Sequence, residues 1–572
     1  MCLALASIAS IATAQVPRPL GSYQAAGGPI DYLGPLATLG EIVLFSARTQ
    51  DAGLELWRSD GTPAGTRIVK DISPGPADSY LTQAVVVAGI AYFGADDGVH
   101  GGELWRSDGT DIGTFLLADI KPGPGGSTPL RFGSMGGQVF FTADDGQSGL
   151  ELWVSDGTLP GTHLVKDIAP GGASSIPPYY DSTWNLATFE GRMYFRADDG
   201  SRGPELWSTD GSEAGTAIVK DIAPVSIGSY PHSLVALGQS LLFWASDSGT
   251  TEDSLWRTDG TDAGTFLLYS LRSTNERPVV AGGMLYFAAW ATGFPSGLWR
   301  TDGTPAGTLP LQSPTGPNWP DLEGLSTVGK DVYFFLYTTS STIGFTLWRL
   351  DGTTYATTRV KDFPEWGGGI GPGGLTPTLL GTFFRGKDLA TQDELWRTDG
   401  TESGTRMVSD LAIGPRESRP ENLTGVGSRL FFLANDDGAV PRLWSLGGPQ
   451  SFFTLNPCRL IDTRMASGPL GGPALVAGLT RTFKVVEECG IPVSARALSL
   501  NVTLVAADAP GHLVLHPSRT PMPATSVTNY SPGVTRANNL VSEIDHLGNL
   551  DAVSKQATGT VHLIVDVNGY YE

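Results

Sequence analysis

The chain has 572 residues, of which 40% are apolar and only 17% charged, with 75 Gly, 40 Pro and a formal net charge of −21. That apolar content excludes a disordered chain, the length predicts more than one domain, and the acidic balance excludes nucleic acid and anionic membranes as partners. From residue 450 onward eight Lys/Arg face nine Asp/Glu, so nearly all of the excess negative charge lies before that point.

Residues 1–14 read as a secretory signal peptide: a short apolar run ends in Ala12-Thr13-Ala14, a small-x-small cleavage site, although a basic first segment is missing. No other run approaches the roughly 18 apolar residues of a membrane span. Cleavage leaves two cysteines, Cys458 and Cys489, and an even pair in an exported chain predicts one disulfide. Residues 15–30 are rich in Pro and Gly and are expected to be a linker.

From Asp31 a repeat begins. Glu103-Leu104-Trp105-Arg106-Ser107-Asp108-Gly109-Thr110 is followed by Gly113-Thr114, and the Leu-Trp pair recurs at Trp57, Trp105, Trp153, Trp207, Trp256, Trp299, Trp348, Trp396 and Trp444. The gaps of 48, 48, 54, 49, 43, 49, 48 and 48 residues mark a repeat architecture. Each copy holds four short apolar or β-branched runs, with Asp-Gly turn signals between them and a Gly/Pro exit, and no amphipathic helix. Leu and Trp are adjacent, so on a strand they face opposite ways and both faces must be buried. Sheets stacked side by side do this, with the Trp ring as a wedge against the next sheet. The expected fold is all-β: a propeller-like array of about nine four-stranded blades over residues 31–455, with a C-terminal β-sandwich over 456–572.

Comparing the copies separates scaffold from decoration. Leu-Trp is present in all nine, Asp-Gly in eight (the ninth has Leu446-Gly447) and Gly-Thr in seven. These motifs resemble the ELWxxDGT repeat of secreted and surface bacterial proteins. The resemblance covers about residues 40–446 and implies a β-propeller-like array in an exported protein, with no catalytic residues to carry over. Nine exceeds the typical four to eight blades, which leaves a split or open array as the alternative. The second unit, from Cys458-Arg459-Leu460-Ile461-Asp462-Thr463-Arg464 to Asp566-Val567-Asn568-Gly569-Tyr570, resembles a C-terminal module of secreted bacterial proteins. Its alternation Val561/Leu563/Val565/Val567 predicts a strand.

Candidate chemistry is sparse. Three hairpins share Asp-Asp-Gly-x-x-Gly-x-Glu: Asp96, Asp97 and Glu103; Asp144, Asp145 and Glu151; Asp198, Asp199 and Glu205. Carboxylates around a tight turn are candidate Ca²⁺ ligands, yet Asp and Gly are also ordinary turn residues and the sixth to eighth copies lose the pair. Calcium is the one candidate cofactor. None of His100, His163, His232, His512, His516, His546 and His562 has metal-ligand spacing, and all are read as structural. No Gly-x-Ser-x-Gly elbow or phosphate-binding loop is present. Arg459, Asp462 and Arg464 are expected to form an ion-pair network. The resulting expectation is a monomeric, secreted or cell-surface, non-catalytic scaffold that presents variable loops to an extracellular protein or glycan. A secreted polysaccharide hydrolase or lyase with acids at the propeller face is one alternative, and a structural surface or matrix protein is the other.

Overall fold

The computed structural model describes residues 17–20, 35–49, 51–176, 185–224, 227–248, 253–274, 276–291, 294–316, 319–338, 344–364, 372–388, 392–412, 416–435, 441–447, 452–493 and 495–571. Residues 1–14, expected to be a signal peptide, lie outside them. The described residues are all-β and fall into eleven antiparallel sheets. No helix among them is long and apolar enough to cross a membrane.

Nine sheets follow the repeats. The first has strands Pro35–Leu39, Ile42–Thr49, Gly53–Ser59 and Arg67–Lys70, and the second Val85–Val87, Ile90–Asp96, Gly102–Ser107 and Phe115–Ala118, each paired in sequence order. The first strands of neighbouring sheets touch one another, which places them around a common axis with the later strands outside. Each Leu-Trp pair sits on a third strand. The eight leucines from Leu56 to Leu395 are fully buried, and Trp105, Trp207, Trp256, Trp299, Trp396 and Trp444 are buried on the opposite face. Trp105 packs with Leu44 and Leu56 of the first sheet, and Trp207 with Phe140 and Leu152 of the third. The tryptophan is thus a wedge between blades, worth about 1.5–3 kcal/mol or more of apolar burial per large side chain.

The segment expected to be a linker contributes to the ring. Arg18–Pro19 is the fourth strand of the ninth sheet, with Arg18 opposite Ser445 and Pro19 opposite Trp444. The Leu20 N–H continues the ladder by donating to Leu443 O at 2.8 Å. Leu20 is buried among Val43 and Phe45 of the first sheet and Phe431 and Leu443 of the ninth. The first and ninth sheets therefore share one core, and the array is a closed ring of nine. Pro/Gly composition concealed this because the strand is only two residues long.

The remaining two sheets form the C-terminal sandwich. One runs Phe452–Asp462, Thr560–Tyr571, Ala497–Val505, Arg536–Glu543, with Leu475–Val476 beside Thr560–Tyr571; the other runs Thr480–Lys484, Asn549–Gln556, Gly511–Pro517, Thr528–Tyr530. Their inner faces share a core that includes Phe483, Val502, Leu513, Leu550 and Val565. The first strand begins at Phe452, slightly before the boundary expected at 456. Cys458 and Cys489 form a disulfide with Cα atoms 5.8 Å apart. Asp462 takes both Arg464 and Arg459, and Arg459 also pairs with Asp566, so the basic cluster is an ion-pair network.

Two outcomes check this architecture. Leu20→Ala is expected to destabilise the ring by about 2–5 kcal/mol in denaturant titration, since a buried Leu at the closing seam is lost. A thiol assay on the denatured mature chain is expected to find no free cysteine. Reducing the bond across 31 residues is expected to cost the sandwich about 3–4 kcal/mol on the chain-entropy relation.

Candidate active site

The Asp-Gly-Thr turn satisfies its own polar atoms. Asp108 Oδ1 accepts from Thr110 N and Oγ1 at 2.9 and 2.6 Å, Thr110 Oγ1 accepts from Gly113 N at 3.0 Å, and Thr114 Oγ1 donates to Thr110 O at 2.7 Å. Ser107 Oγ, 2.7 Å from Thr114 Oγ1, accepts from Gly109 N at 3.0 Å. A Cβ on Gly113 would lie 2.0 Å from Asp108 Oδ1, which is why the second Gly recurs with the Asp. Hydrogen bonds from Thr110 hold the Asp108 carboxyl below its usual range. The motif is thus a rigid turn whose acid is already engaged.

The glutamate of Glu-Leu-Trp is a staple. Buried Glu103 accepts from Ile120 N at 2.9 Å, Lys121 N at 3.1 Å, Ser127 N at 2.8 Å and Ser127 Oγ at 2.6 Å. It joins the exit of its own sheet to the entry of the next. Glu55, Glu151, Glu205 and Glu394 hold the corresponding amides in their sheets. The Asp pairs of the calcium candidates cap their own hairpins instead. Asp97 Oδ1 accepts from Val99 N and His100 N, Asp145 Oδ1 from Gln147 N and Ser148 N, and Asp199 Oδ1 from Ser201 N and Arg202 N. Asp96, Asp144 and Asp198 each accept from a turn glycine two residues on. Asp96, Asp97 and Glu103, and their two counterparts, do not converge as a candidate calcium site would: glutamate and aspartates belong to separate networks. No group of three metal-ligating side chains assembles among the described residues.

Burial pushes these glutamates up, against the hydrogen bonds they accept: to about 7 for Glu55, Glu151 and Glu205 and to about 8 for Glu394. Asp71, Asp221 and Asp410 add to the rise in Glu55, Glu205 and Glu394. A carboxyl raised above its unfolded value near 4.5 stabilises the fold below that value and loses the contribution as pH rises through 7 to 8. The melting temperature is expected to fall as pH rises from about 4.5 to about 8 and to level off above that. Glu151→Gln is expected to flatten that slope, read by thermal unfolding across the pH series.

The fifth sheet departs from this pattern. Its third strand, Ser254–Thr258, has Ser254 where the first four copies and the eighth have Glu, and the acid moves to Asp253. Asp253 still performs the stapling, accepting from Ser273 N at 3.2 Å and Ser273 Oγ at 2.5 Å. It also lies 2.9 Å from His232 Nε2, and His232 Nδ1 lies 3.2 Å from Ser233 Oγ. The His232 and Asp253 side chains are only 16% and 18% exposed. The His232 ring is stacked on that of Trp244, with centroids 6.5 Å apart and an interplanar angle of 21°.

The backbone around this serine belongs to the scaffold. Ser127-Thr128-Pro129-Leu130-Arg131, Ser229-Tyr230-Pro231-His232-Ser233 and Ser418-Arg419-Pro420-Glu421-Asn422 enter the third, fifth and ninth sheets alike. In all three the second and fifth residues have positive φ: 51° and 55°, 51° and 51°, and 45° and 53°. The first of these bends lets the N–H groups of Ser229 and Tyr230 both donate to Pro204 O, at 2.9 and 3.0 Å. Only the fifth sheet fills the last two positions with His and Ser.

The polarity of the relay follows from its acid. Burial raises Asp253, but hydrogen bonds from His232 and Ser273 outweigh it and hold the carboxyl below its usual range. An ionised Asp253 only accepts, so His232 Nε2 carries the proton and Nδ1 offers its lone pair to the Ser233 hydroxyl. Asp, His and Ser then stand in the acid–base–nucleophile order of acyl-transfer sites, with the two ring nitrogens exchanged relative to the familiar arrangement.

A cavity of about 580 Å³ lies at the sixth sheet, lined by Trp299, Pro310, Leu311, Pro314 and Trp319 among others. It forms where Gly297 replaces the stapling glutamate, so that the Trp319 ring occupies the space a side chain would need. It contains none of the relay residues.

No family model and no curated protein matches the chain. Among solved structures it is similar to a puromycin-hydrolysing peptidase of Mycobacterium tuberculosis, at 14% identity and a TM-score of 0.36 over 61% of this chain and 55% of that one. It is also similar to a puromycin hydrolase, at 13% identity and a TM-score of 0.31 over 62% and 58%. A structure from a study of two prolyl endopeptidases shares 12% identity, with a TM-score of 0.34 over 66% and 56%. The chain thus spans a little over half the length of these structures, and likenesses this distant transfer no residue. These structures are named as peptidases and a hydrolase, which runs against the expectation of a non-catalytic extracellular scaffold and of its polysaccharide-hydrolase and matrix alternatives, and at TM-scores of 0.31–0.36 they assign no activity to this chain. His232, read from the sequence as structural, meets Asp253 21 residues on, past the intervening strand Ser240–Ala245, and the signal in the sequence for this contact was the replacement of Glu by Ser254 in one copy alone of the first five.

Proposed function

We propose that the chain is a hydrolase of carboxylic ester or peptide bonds that works by acyl transfer through Ser233. The observation that carries this reading is the directed relay Asp253–His232–Ser233, held at 2.9 and 3.2 Å on the rigid entry to the fifth sheet. Ser233 Oγ attacks the acyl carbon while its proton passes to His232 Nδ1. Collapse of the tetrahedral species breaks the bond to the leaving group, which takes the proton from Nδ1. Water then attacks the acyl-Ser233 carbon and gives its proton to Nδ1. The second collapse frees the carboxylic acid and returns that proton to Ser233 Oγ. Asp253 stays ionised throughout and stabilises the imidazolium. Export belongs to the same proposal, because the Cys458–Cys489 disulfide suits an oxidising compartment.

A fluorophosphonate probe is expected to label the mature protein at Ser233, located by peptide mass spectrometry, and Ser233→Ala to abolish labelling. Hydrolysis of a p-nitrophenyl ester is expected to fall about 10²–10⁴-fold in His232→Gln, the range of a lost general base. Equal labelling of wild type and Ser233→Ala, or ester turnover unchanged in His232→Gln with the melting temperature preserved, sinks the proposal.

A further inference from the structure

Neighbouring blades are joined by a recurrent arginine. The residue after the blade tryptophan reaches the next sheet's turn and donates to its glycine carbonyl: Arg58 Nη1 to Gly109 O at 3.0 Å, Arg106 Nη1 to Gly157 O at 3.2 Å, and Arg257 Nη1 to Gly303 O at 2.9 Å. The receiving glycines all have positive φ, between 83° and 88°, and so does Gly61, which occupies that place at the seam where the ninth sheet meets the first.

The ninth sheet lacks this arginine and has Ser445 in its place. Ser445 Oγ donates to Gly61 O at 3.0 Å, and the second donor to that carbonyl comes from the other domain: Arg496 Nη2, at 3.1 Å. Arg496 Nη1 donates to Gly447 O of the ninth sheet at 3.2 Å. One guanidinium therefore bridges both sides of the seam. Its backbone is fixed in the sandwich, with Arg496 N donating to Tyr571 O at 2.7 Å and Arg496 O accepting from Ile544 N at 3.0 Å.

A second set of contacts lies beside it. Arg519 O accepts from Asp410 N at the exit of the eighth sheet, at 3.0 Å, and from Ser409 Oγ at 3.4 Å. Arg519 Nη1 is 3.3 Å from His546 Nε2, and the His546 ring meets Trp444 edge-on, with centroids 5.1 Å apart. The sandwich thus touches the first, eighth and ninth sheets. These flank the one seam whose outer strand, Arg18–Pro19, is supplied from the far end of the chain.

We propose that the C-terminal sandwich is the clasp of the ring: Arg496 supplies across domains the inter-blade arginine that the ninth repeat lost, and unseating it opens the seam between the first and ninth sheets. A guanidinium bonded to two backbone carbonyls carries charge-assisted hydrogen bonds, stronger than the neutral serine contact that remains.

Hydrogen exchange on the full mature chain tests this. Arg496→Ala is expected to speed amide exchange at least tenfold in Ile42–Ser59 and Arg429–Gly447, leaving the seam between the fifth and sixth sheets unchanged. Arg257→Ala is expected to do the reverse. Ser445→Arg in the Arg496→Ala background restores an arginine within the ring and is expected to restore protection at the seam, which distinguishes a clasp from a general loss of domain docking. Unchanged exchange at the seam, an equal increase over all nine sheets, or failure of Ser445→Arg to restore protection overturns the proposal. If Arg496→Ala does not fold, Arg496→Lys, which keeps the charge but not the two-pronged geometry, is read by the same criteria.

Discussion

Every blade buries both faces of its third strand, and the ring follows from that. Leu104 points one way into a core with Tyr92, Leu117 and Phe141, while Trp105 points the other way into a core with Leu44 and Phe93. A sheet with two apolar faces has no wet side, so no blade is stable alone and an array with free ends would expose a core at each end. Here the two ends would expose Val43 and Phe45 on one side and Phe431 and Leu443 on the other. Packing these against each other, with Leu20 among them, removes both exposed faces at once. Closure is a consequence of burial, and the short Arg18–Pro19 strand fixes which copy meets which.

Dry faces create a second constraint, because the chain must cross from the outer edge of one sheet to the inner edge of the next without stranding backbone amides. The buried glutamate answers this. Each collects amides from the exit of one blade, and Glu103 and Glu151 also collect those at the entry of the next. Several buried carboxyls around one ring carry a desolvation cost that hydrogen bonds offset only in part, hence their upward displacement. The Asp of the Asp-Gly-Thr turn is the contrasting case. It is exposed, accepts from Thr110 and is held low. Two acids five residues apart in one motif therefore respond oppositely to their surroundings.

Much of this was legible from residues alone. Opposed Leu and Trp faces, Asp-Gly turns and a period near 48 specify stacked four-stranded sheets, and two cysteines in a mature chain specify one bond. These signals are local, and their physics is periodicity and turn stereochemistry. The closing strand was not legible: Arg18 and Pro19 carry no apolar alternation, and pairing with Trp444 spans nearly the whole propeller. The choice between calcium ligands and ordinary turns was open in the sequence for a related reason. Asp96, Asp97 and Glu103 are close in sequence, but Glu103 lies on a strand and faces inward while the aspartates turn back on their own hairpin. The relay was hidden because His232 lies on the first strand of its sheet and Asp253 just before the third, and neither stands in a motif. What pointed to it was Ser254 in place of the stapling glutamate, with an acid, Asp253, directly before it.

On the proposed reading, that replacement is how a repeat ring would acquire chemistry. The strained bend that presents Ser233 is present at Arg131 and Asn422 as well, where the side chains offer no nucleophile. The same pair of bends enters the third, fifth and ninth sheets, so the backbone that presents Ser233 is not peculiar to the fifth. Moving the acid from the Glu-Leu-Trp position to Asp253 keeps the staple to Ser273 and leaves the same carboxylate to orient an imidazole. His232 and Ser233 complete the relay without any change of backbone. A rigid ring thus needs only side-chain substitutions at one entry to place an acid, a base and a hydroxyl in line, because the geometry that would otherwise have to be built is already repeated around it.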